Sequence, residues 1–171
     1  MKLPWNRRPS EAPAEEPRVA PPATTDEPPG RLDAIWIKRV RRGPMDPVVS
    51  AQLVADHGLE GNANVRGKRQ VTLIATDAWA AVEAELGRTV DPRTRRANLL
   101  VAGLDLANSR GRSLWIGDCH LQVRGETRPC RLMEESVPGL QAALDPDWRG
   151  GVFAQVVTGG TIQVGDPVRW G

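Results

Sequence analysis

The sequence predicts a mainly β protein with α elements: a largely antiparallel barrel with a few short helices attached. Three observations point there. After residue 30 the chain breaks into many short apolar runs separated by Gly-rich turns. Only two segments carry a clear helical period. Strands and helices do not alternate, which argues against a doubly wound parallel sheet.

Size and composition narrow the function classes. The chain has 171 residues, 40% hydrophobic and 26% charged, which suits one globular domain. A domain of about 140 residues can bury well over half of its chain surface without a disulfide or metal to hold it. The net charge of +2 implies no strong field for steering nucleic acid. Tyrosine is absent and phenylalanine occurs once, so no aromatic platform for stacking bases is expected. Two cysteines, Cys119 and Cys130, do not make a disulfide framework. No apolar run approaches the ~20 residues of a membrane span. The N-terminal stretch lacks the apolar core of a secretory signal, so a cytoplasmic protein with reduced thiols is expected.

The elements follow in order. Residues 1–30 are rich in Pro, Ala, Glu and Thr, and read as a disordered tail that buries too little surface to offset its ordering entropy. Residues 31–171 form the predicted domain. "RLDAIWIKRV" alternates as a strand, "GPMDPVV" reads as loop, and "SAQLVADHG" as a second strand. "GLEGNANVRGKR" is a Gly- and Asn-rich loop. "QVTLIAT" is a third strand, β-branched enough to be buried on both faces. "TDAWAAVEAELG" predicts an amphipathic helix with Trp79, Val82 and Leu86 on one face, a cap at Thr76 or Asp77, and Gly87 as a left-handed stop. "RTVDPRTRRA" is a basic loop, "NLLVAG" a short strand and "LDLANSRG" a turn of helix. "SLWIGD" and "TIQVGD" are alike, each a strand closed by a Gly-Asp turn. "CHLQVRGETRPC" continues the first as a strand with Cys119, Leu121 and Val123 facing one way. "SVPGLQAALDP" allows a second short helix, and "GVFAQVVTGG" with "TIQVGDPVRW" predicts a closing hairpin.

Candidate chemistry sits in a few places. Cys119 shares the inward parity of two aliphatic residues and reads as core. Cys130 follows Arg128-Pro129 and precedes Arg131; proline ends strand pairing, which places the thiol in a strand-to-helix transition among guanidinium groups that favour the thiolate. In "DPRTRRANLL", Arg93, Arg95 and Arg96 with Asn98 suggest an anion cradle. Lys68 and Arg69 in "GLEGNANVRGKRQ" suggest a second, although the spacing is not that of a P-loop and ATP is not implied. His57 and His120 stand alone without metal-ligand spacing, and no G-x-S-x-G element supports a serine triad.

Taken in order, "GLEGN", "KRQVTLIATDAWAAVEAELG", "RRANLLVAGLDL", "GRSLWIGDCHLQV", "RPCRLMEE", "PGLQAAL" and "RGGVFAQVVTGGTIQVGDPV" resemble a MOSC domain, the module named for the C-terminal part of molybdenum cofactor sulfurases and also found as small stand-alone bacterial proteins. The resemblance spans roughly Ala51 to Val168. It implies a MOSC-type β-barrel with a few short helices. It implies binding of molybdenum cofactor, a pterin dithiolene with a phosphate arm. Cys130 would be the thiolate ligand of molybdenum, Arg96 and Asn98 would hold the pterin or its phosphate, and Arg95, Arg69 and Arg131 would add cofactor contacts. A soft thiolate suits a sulfur-rich metal, and the metal carries the redox step. One departure is the Asn62-Ala63-Asn64 run, where many relatives have Asp-x-His.

Two function classes follow. One is an oxidoreductase that reduces N-hydroxylated substrates with electrons from a separate donor protein, since the chain has no flavin, haem or iron–sulfur signature. The other is a non-catalytic module that carries the cofactor, or sulfur on Cys130, to another enzyme. Neither involves nucleic acid or membrane. Pyridoxal phosphate is not expected: the only lysines are Lys2, Lys38 and Lys68, none in a Schiff-base context.

Overall fold

The computed structural model describes residues 20–21, 28–63, 65 and 67–171. The tail predicted for residues 1–30 lies almost wholly outside the described residues.

Strand β1 (Gly30–Ile37) opens the domain, with β2 (Asp46–Val48) paired on its outer edge. Then come β3 (Ser50–Val54), β4 (Gly58–Leu59) and β5 (Val71–Ala75). Helix α1 (Thr76–Leu86) leads through a 3-10 turn, Pro92–Arg95, to β6 (Leu99–Ala102). Strands β7 (Ser113–Ile116) and β8 (Cys119–Glu126) follow, then helices α2 (Arg131–Ser136) and α3 (Leu140–Leu144). A second 3-10 turn, Pro146–Trp148, precedes β9 (Val152–Thr158), β10 (Gly160–Gln163) and β11 (Pro167–Trp170).

Among the described residues, seven strands close in the order β11-β7-β8-β9-β5-β6-β1, with β1 pairing back to β11. Closure removes the exposed edges that an open sheet would leave. The interior is filled by alternating side chains such as Leu32, Leu73, Leu99, Leu121, Val156 and Val168. Strand β5 is buried at all five positions because its other face lies under the helices, where Ile74, Trp79, Val82, Met133 and Leu140 make a second apolar cluster. Trp79 adds a hydrogen bond from Nε1 to the Val90 carbonyl at 2.9 Å, so its polar edge is satisfied inside.

Two glycines show why the sequence folds this way. Gly87 ends α1 at φ 65°, the left-handed stop that its position predicts. Gly151 has φ 86° and passes so close to β5 that a Cβ there would lie 2.0 Å from the Leu73 carbonyl oxygen, which only glycine allows.

Five local expectations are corrected. "DPV", predicted as loop, is edge strand β2; its Pro47 donates no hydrogen bond, which an edge tolerates. "LDLANSRG" forms turns, not helix. The start of α1 is capped by backbone at Ala75, without a side-chain bond from Thr76 or Asp77. "RLMEES" forms an additional helix, α2, just after Cys130. The closing hairpin is absent: β10 pairs with β3 in a separate small sheet, while β9 lies between β8 and β5. Within the largely antiparallel barrel, β5 and β6 run parallel, joined through α1, so one crossover unit is built into it.

Candidate functional site

The chain segments that carry the predicted site residues meet at one end of the barrel. Asp91 caps the Pro92–Arg95 turn by accepting from the Arg93 backbone N–H at 2.9 Å. The turn ends at Arg96 in the left-handed region, φ 62°. That reversal sends neighbouring arginines in different directions. Arg95 is buried, 5% exposed, and donates from Nε to the Gly150 carbonyl and from a terminal nitrogen to the Thr127 carbonyl, both at 2.8 Å. Arg96 is half-buried and donates to the Gly43 carbonyl at 2.7 Å, which pins the Lys38–Gly43 loop beside it.

Asn98 lies beyond the turn, buried at 5% exposure. Its Oδ1 accepts from the Thr72 N–H at 3.2 Å and the Thr72 hydroxyl at 3.1 Å. Its Nδ2 donates to the Trp36 carbonyl and to Asn62 Oδ1, both at 3.1 Å. Both N–H protons and both carbonyl lone pairs are therefore engaged by protein. Asn98 ties β1, β5 and the loop at Asn62 together, and leaves no amide proton for a ligand.

Lys38, Asn62, Arg69, Gln70, Thr72, Arg96 and Asn98 surround a small polar cavity of about 40 Å³. Three of these are cations and none is a carboxylate. Burial holds the Lys38 ammonium below the ordinary lysine range, and the charges of Arg96 and Arg69 push the same way. Burial pulls the Arg95 guanidinium down to about 10; Arg69 adds to that fall, and a thiolate at Cys130 opposes it. Arg95 is the last residue of the Pro92–Arg95 turn, directly before Arg96, and its hydrogen bond to the Thr127 carbonyl ties that turn to the segment leading to Cys130.

Cys130 is exposed and stands as the N-cap residue of α2, which packs against the Pro92–Arg95 turn. Strand β8 ends at Glu126, ahead of Pro129, as the proline predicts. The neighbouring arginines do not turn toward the thiol. Arg128 lies 3.6 Å from Glu126, and Arg131, 89% exposed at its side chain, pairs with Glu135 at 3.0 Å. The buried Arg95 guanidinium is close enough to feel a thiolate at Cys130. Thr127, whose carbonyl Arg95 holds, has a buried hydroxyl without a hydrogen-bond partner; no protein group accounts for it.

The structure thus gathers Arg69, Arg96 and Asn98 around one cavity; Arg95 and Cys130 do not line it, and Arg95 instead holds the Thr127 carbonyl, three residues before Cys130. Arg131 is on the solvent face of α2 and does not line the cavity. Sequence reading missed Lys38 and Thr72 as lining residues; Asn62 and Gln70 lie in the stretch that it marked as a second anion cradle. Lys38 carried one faint signal, a lysine at the end of a strand in a chain whose cations are nearly all arginine. Position 64 of the Asn-Ala-Asn run lies outside the described residues. Two roomier cavities lie elsewhere. One of about 400 Å³ is bordered by Asp77, Asp105, Asp147 and Trp148, and one of about 610 Å³ by Arg112, Arg169 and Trp170. Neither includes a residue that the sequence singled out for chemistry. Among the described residues no three His, Cys, Asp or Glu side chains converge as a metal cage. No helix among them is long and apolar enough to cross a membrane.

Comparison with known proteins places these features. A family model described as the MOSC domain matches residues 50–169. No curated protein sequence matches the chain. Among solved structures, the YuaD protein from Bacillus subtilis aligns with a TM-score of 0.68 at 16% identity, covering 81% of this chain and 93% of that one. YiiM from Geobacillus stearothermophilus aligns at 0.67 and 18% identity, covering 84% and 75%. YiiM from Escherichia coli aligns at 0.63 and 18%, covering 82% and 69%. These likenesses establish a shared fold.

Proposed function

The chain belongs to the MOSC domain family, and from that premise we propose that it binds molybdenum cofactor through Cys130 and the cation-lined cavity, and that the loaded protein reduces N-hydroxylated compounds with electrons from a separate donor. One observation carries the reading. Lys38, Arg69 and Arg96 converge on a cavity without a carboxylate, and buried Arg95 links that cavity to the segment that presents an exposed thiol. Uncompensated cations beside a small polar space are what an anionic group requires.

The residues fit the group in two respects. A water needs about 10–15 Å³ of such space, so the cavity of about 40 Å³ suits one tetrahedral oxyanion, a phosphate, and not a ring system. The cysteine is exposed at the N-cap of α2, available as a thiolate ligand, and a metal there would bring its remaining ligands with the cofactor.

When bound, the cofactor supplies a sulfur-rich molybdenum centre capable of two-electron chemistry. The chain's own residues do the positioning. Arg95 holds the Thr127 and Gly150 carbonyls and so fixes the approach to Cys130. Lys38, Arg69 and Arg96 neutralise phosphate charge. Asn98 acts as a positioning residue: it holds Asn62, and Asn62 in turn accepts from the Lys38 backbone N–H at 2.9 Å. The overall reaction adds two electrons and two protons to an N–OH compound, breaks the N–O bond and releases the amine and water.

Turnover tests the reading. Protein loaded in a cofactor-competent host is mixed with reduced methyl viologen and benzamidoxime. The expected result is one benzamidine formed per two electrons consumed, lost in C130S. Fully loaded wild-type protein without turnover would overturn the reductase reading in favour of a carrier that delivers cofactor or sulfur.

A further inference from the structure

Between β1 and β2 the chain reads Lys38-Arg39-Val40-Arg41-Arg42-Gly43, four cations around one aliphatic residue. The segment is a built turn. The Val40 carbonyl accepts from the Gly43 N–H at 2.9 Å, and Arg42 takes the left-handed region at φ 60°. A Cβ on Gly43 would lie 2.5 Å from a Val40 methyl carbon, so only glycine closes the turn this tightly. The Gly43 carbonyl in turn accepts from Arg96 at 2.7 Å, which fixes the turn beside the cavity. What the turn holds out is exposed: Arg41, Arg42 and, at 61%, Val40. Arg39 pairs with Asp46 at 3.0 Å, whereas Arg41, Arg42, Lys68 and Arg69 have no ion pair among the described residues. Folding needs neither the exposed valine nor the unpaired guanidinium groups around it.

We propose that the Val40–Gly43 turn, together with the Lys68-Arg69 pair, is the surface on which the acidic face of the electron-donor protein docks. The inference rests on the reductase reading. Unpaired cations steer an acidic partner to the surface, and an apolar residue among them gives the short-range contact that a protein interface needs. Nucleic acid fits less well, because the surface offers no aromatic ring for stacking and Trp36 on β1 is 5% exposed. Arg96 holds the turn, and its neighbour Arg95 is close enough to feel a thiolate at Cys130, which keeps the docking surface near the thiol that would hold the metal.

Reduced bacterial flavodoxin, a small acidic flavin protein, is the probe; reduced methyl viologen, which needs no docking surface, is the control donor. Loaded wild type is compared with R41E/R42E, V40S and R31E/R110E. By calorimetry, wild type should bind flavodoxin at least about tenfold more weakly in about 0.5 M salt than in about 0.05 M. R41E/R42E should bind at least about tenfold more weakly than wild type at the lower salt, a gap that narrows at the higher, and V40S should lose about threefold at both. The KM for flavodoxin in benzamidoxime reduction should rise in step, while viologen-driven turnover is kept. R31E/R110E makes the same charge change at exposed arginines elsewhere, at the start of β1 and between β6 and β7, and should bind within about twofold of wild type. No flavodoxin binding in wild type, equal binding by R41E/R42E, an equal loss in R31E/R110E, or duplex DNA bound more tightly than flavodoxin would each overturn the docking surface and leave the reductase reading standing. Wild type without viologen-driven turnover overturns that reading, and the inference with it.

Discussion

Cys119 opens strand β8, and Cys130 follows just past the end of the same strand, yet the two thiols live in different chemical worlds. Cys119 is 2% exposed in the barrel interior, and its sulfur lies 3.0 Å from where a Cβ on Gly160 would stand. Burial pushes its thiol up to about 11, and the nearby carboxylates Asp118 and Asp166 push the same way. Cys130 is exposed at the N-cap of a helix, within the electrostatic influence of the buried Arg95 guanidinium. What separates them is the chain around each: alternation on β8 turns Cys119 inward, and Pro129 releases Cys130 from the sheet. A cysteine's residue type says little here; the element that carries it decides the chemistry.

The largest effect that could break this contrast is thiol reactivity. With a disulfide reagent, folded wild type should show one fast thiol per chain, and the second should react at least about a thousandfold more slowly, since it requires opening of the barrel. C130S should lose the fast phase completely. A fast phase that survives in C130S would place Cys119 in reach of solvent and dissolve the comparison.

Next in size is the link between the cavity and Cys130. Arg95→Ala leaves the Thr127 and Gly150 carbonyls buried without their donor. Urea unfolding should show a loss of about 2–4 kcal/mol. Arg95→Lys should recover only part, because one ammonium cannot reproduce the two-pronged grip. No change in stability in the alanine variant would mean that the approach to Cys130 is held by something else.

A smaller effect sharpens the Cys119 side. Its folded thiol titrates near 11, against an ordinary value of 9.0. The folded state therefore keeps a proton that the unfolded chain gives up first. The stabilisation is fully present below pH 9.0, and it is lost as pH rises toward about 11. Melting curves across that window should fall more steeply for wild type than for C119A. Parallel curves would contradict the assignment.

The smallest effect is at Arg131. Its ion pair with Glu135 is on the solvent face of α2, so Arg131→Ala should change stability by less than about 0.5 kcal/mol and leave the thiol reactivity of Cys130 in place. A large effect on either would bring Arg131 into the site.

Much of this was legible in the sequence, for stated reasons. Alternation on β8 announced Cys119 as core, β-branched density announced the two-sided burial of β5, and Gly87 announced the end of α1. What was not legible depended on distant pairings. Strand β10 leaves β9 to pair with β3, far away in sequence, and at the junction a Cβ on Gly159 would lie 2.4 Å from the Leu53 carbonyl oxygen. No local signal reports such a crossing. The same holds at the cavity. Arg69 and Arg96 could be suspected from their own basic loops, but Lys38 and Thr72 join them only because β1, β5 and β6 are neighbours in the barrel. Asn98 shows the opposite case. Its place beside two arginines suggested a ligand clamp, and only the completed network shows its amide committed to Thr72, Trp36 and Asn62.

The central claim is that the exposed cysteine, and not the buried one, is the residue through which this barrel holds a metal-bearing cofactor. Molybdenum per chain tests it most directly, measured by mass spectrometry on protein purified anaerobically from a cofactor-competent host, wild type beside C130S and C119A. The account predicts close to one molybdenum per chain in wild type and in C119A, and its loss in a C130S protein that melts at the wild-type temperature. Equal molybdenum in wild type and C130S, or none in wild type, would contradict it.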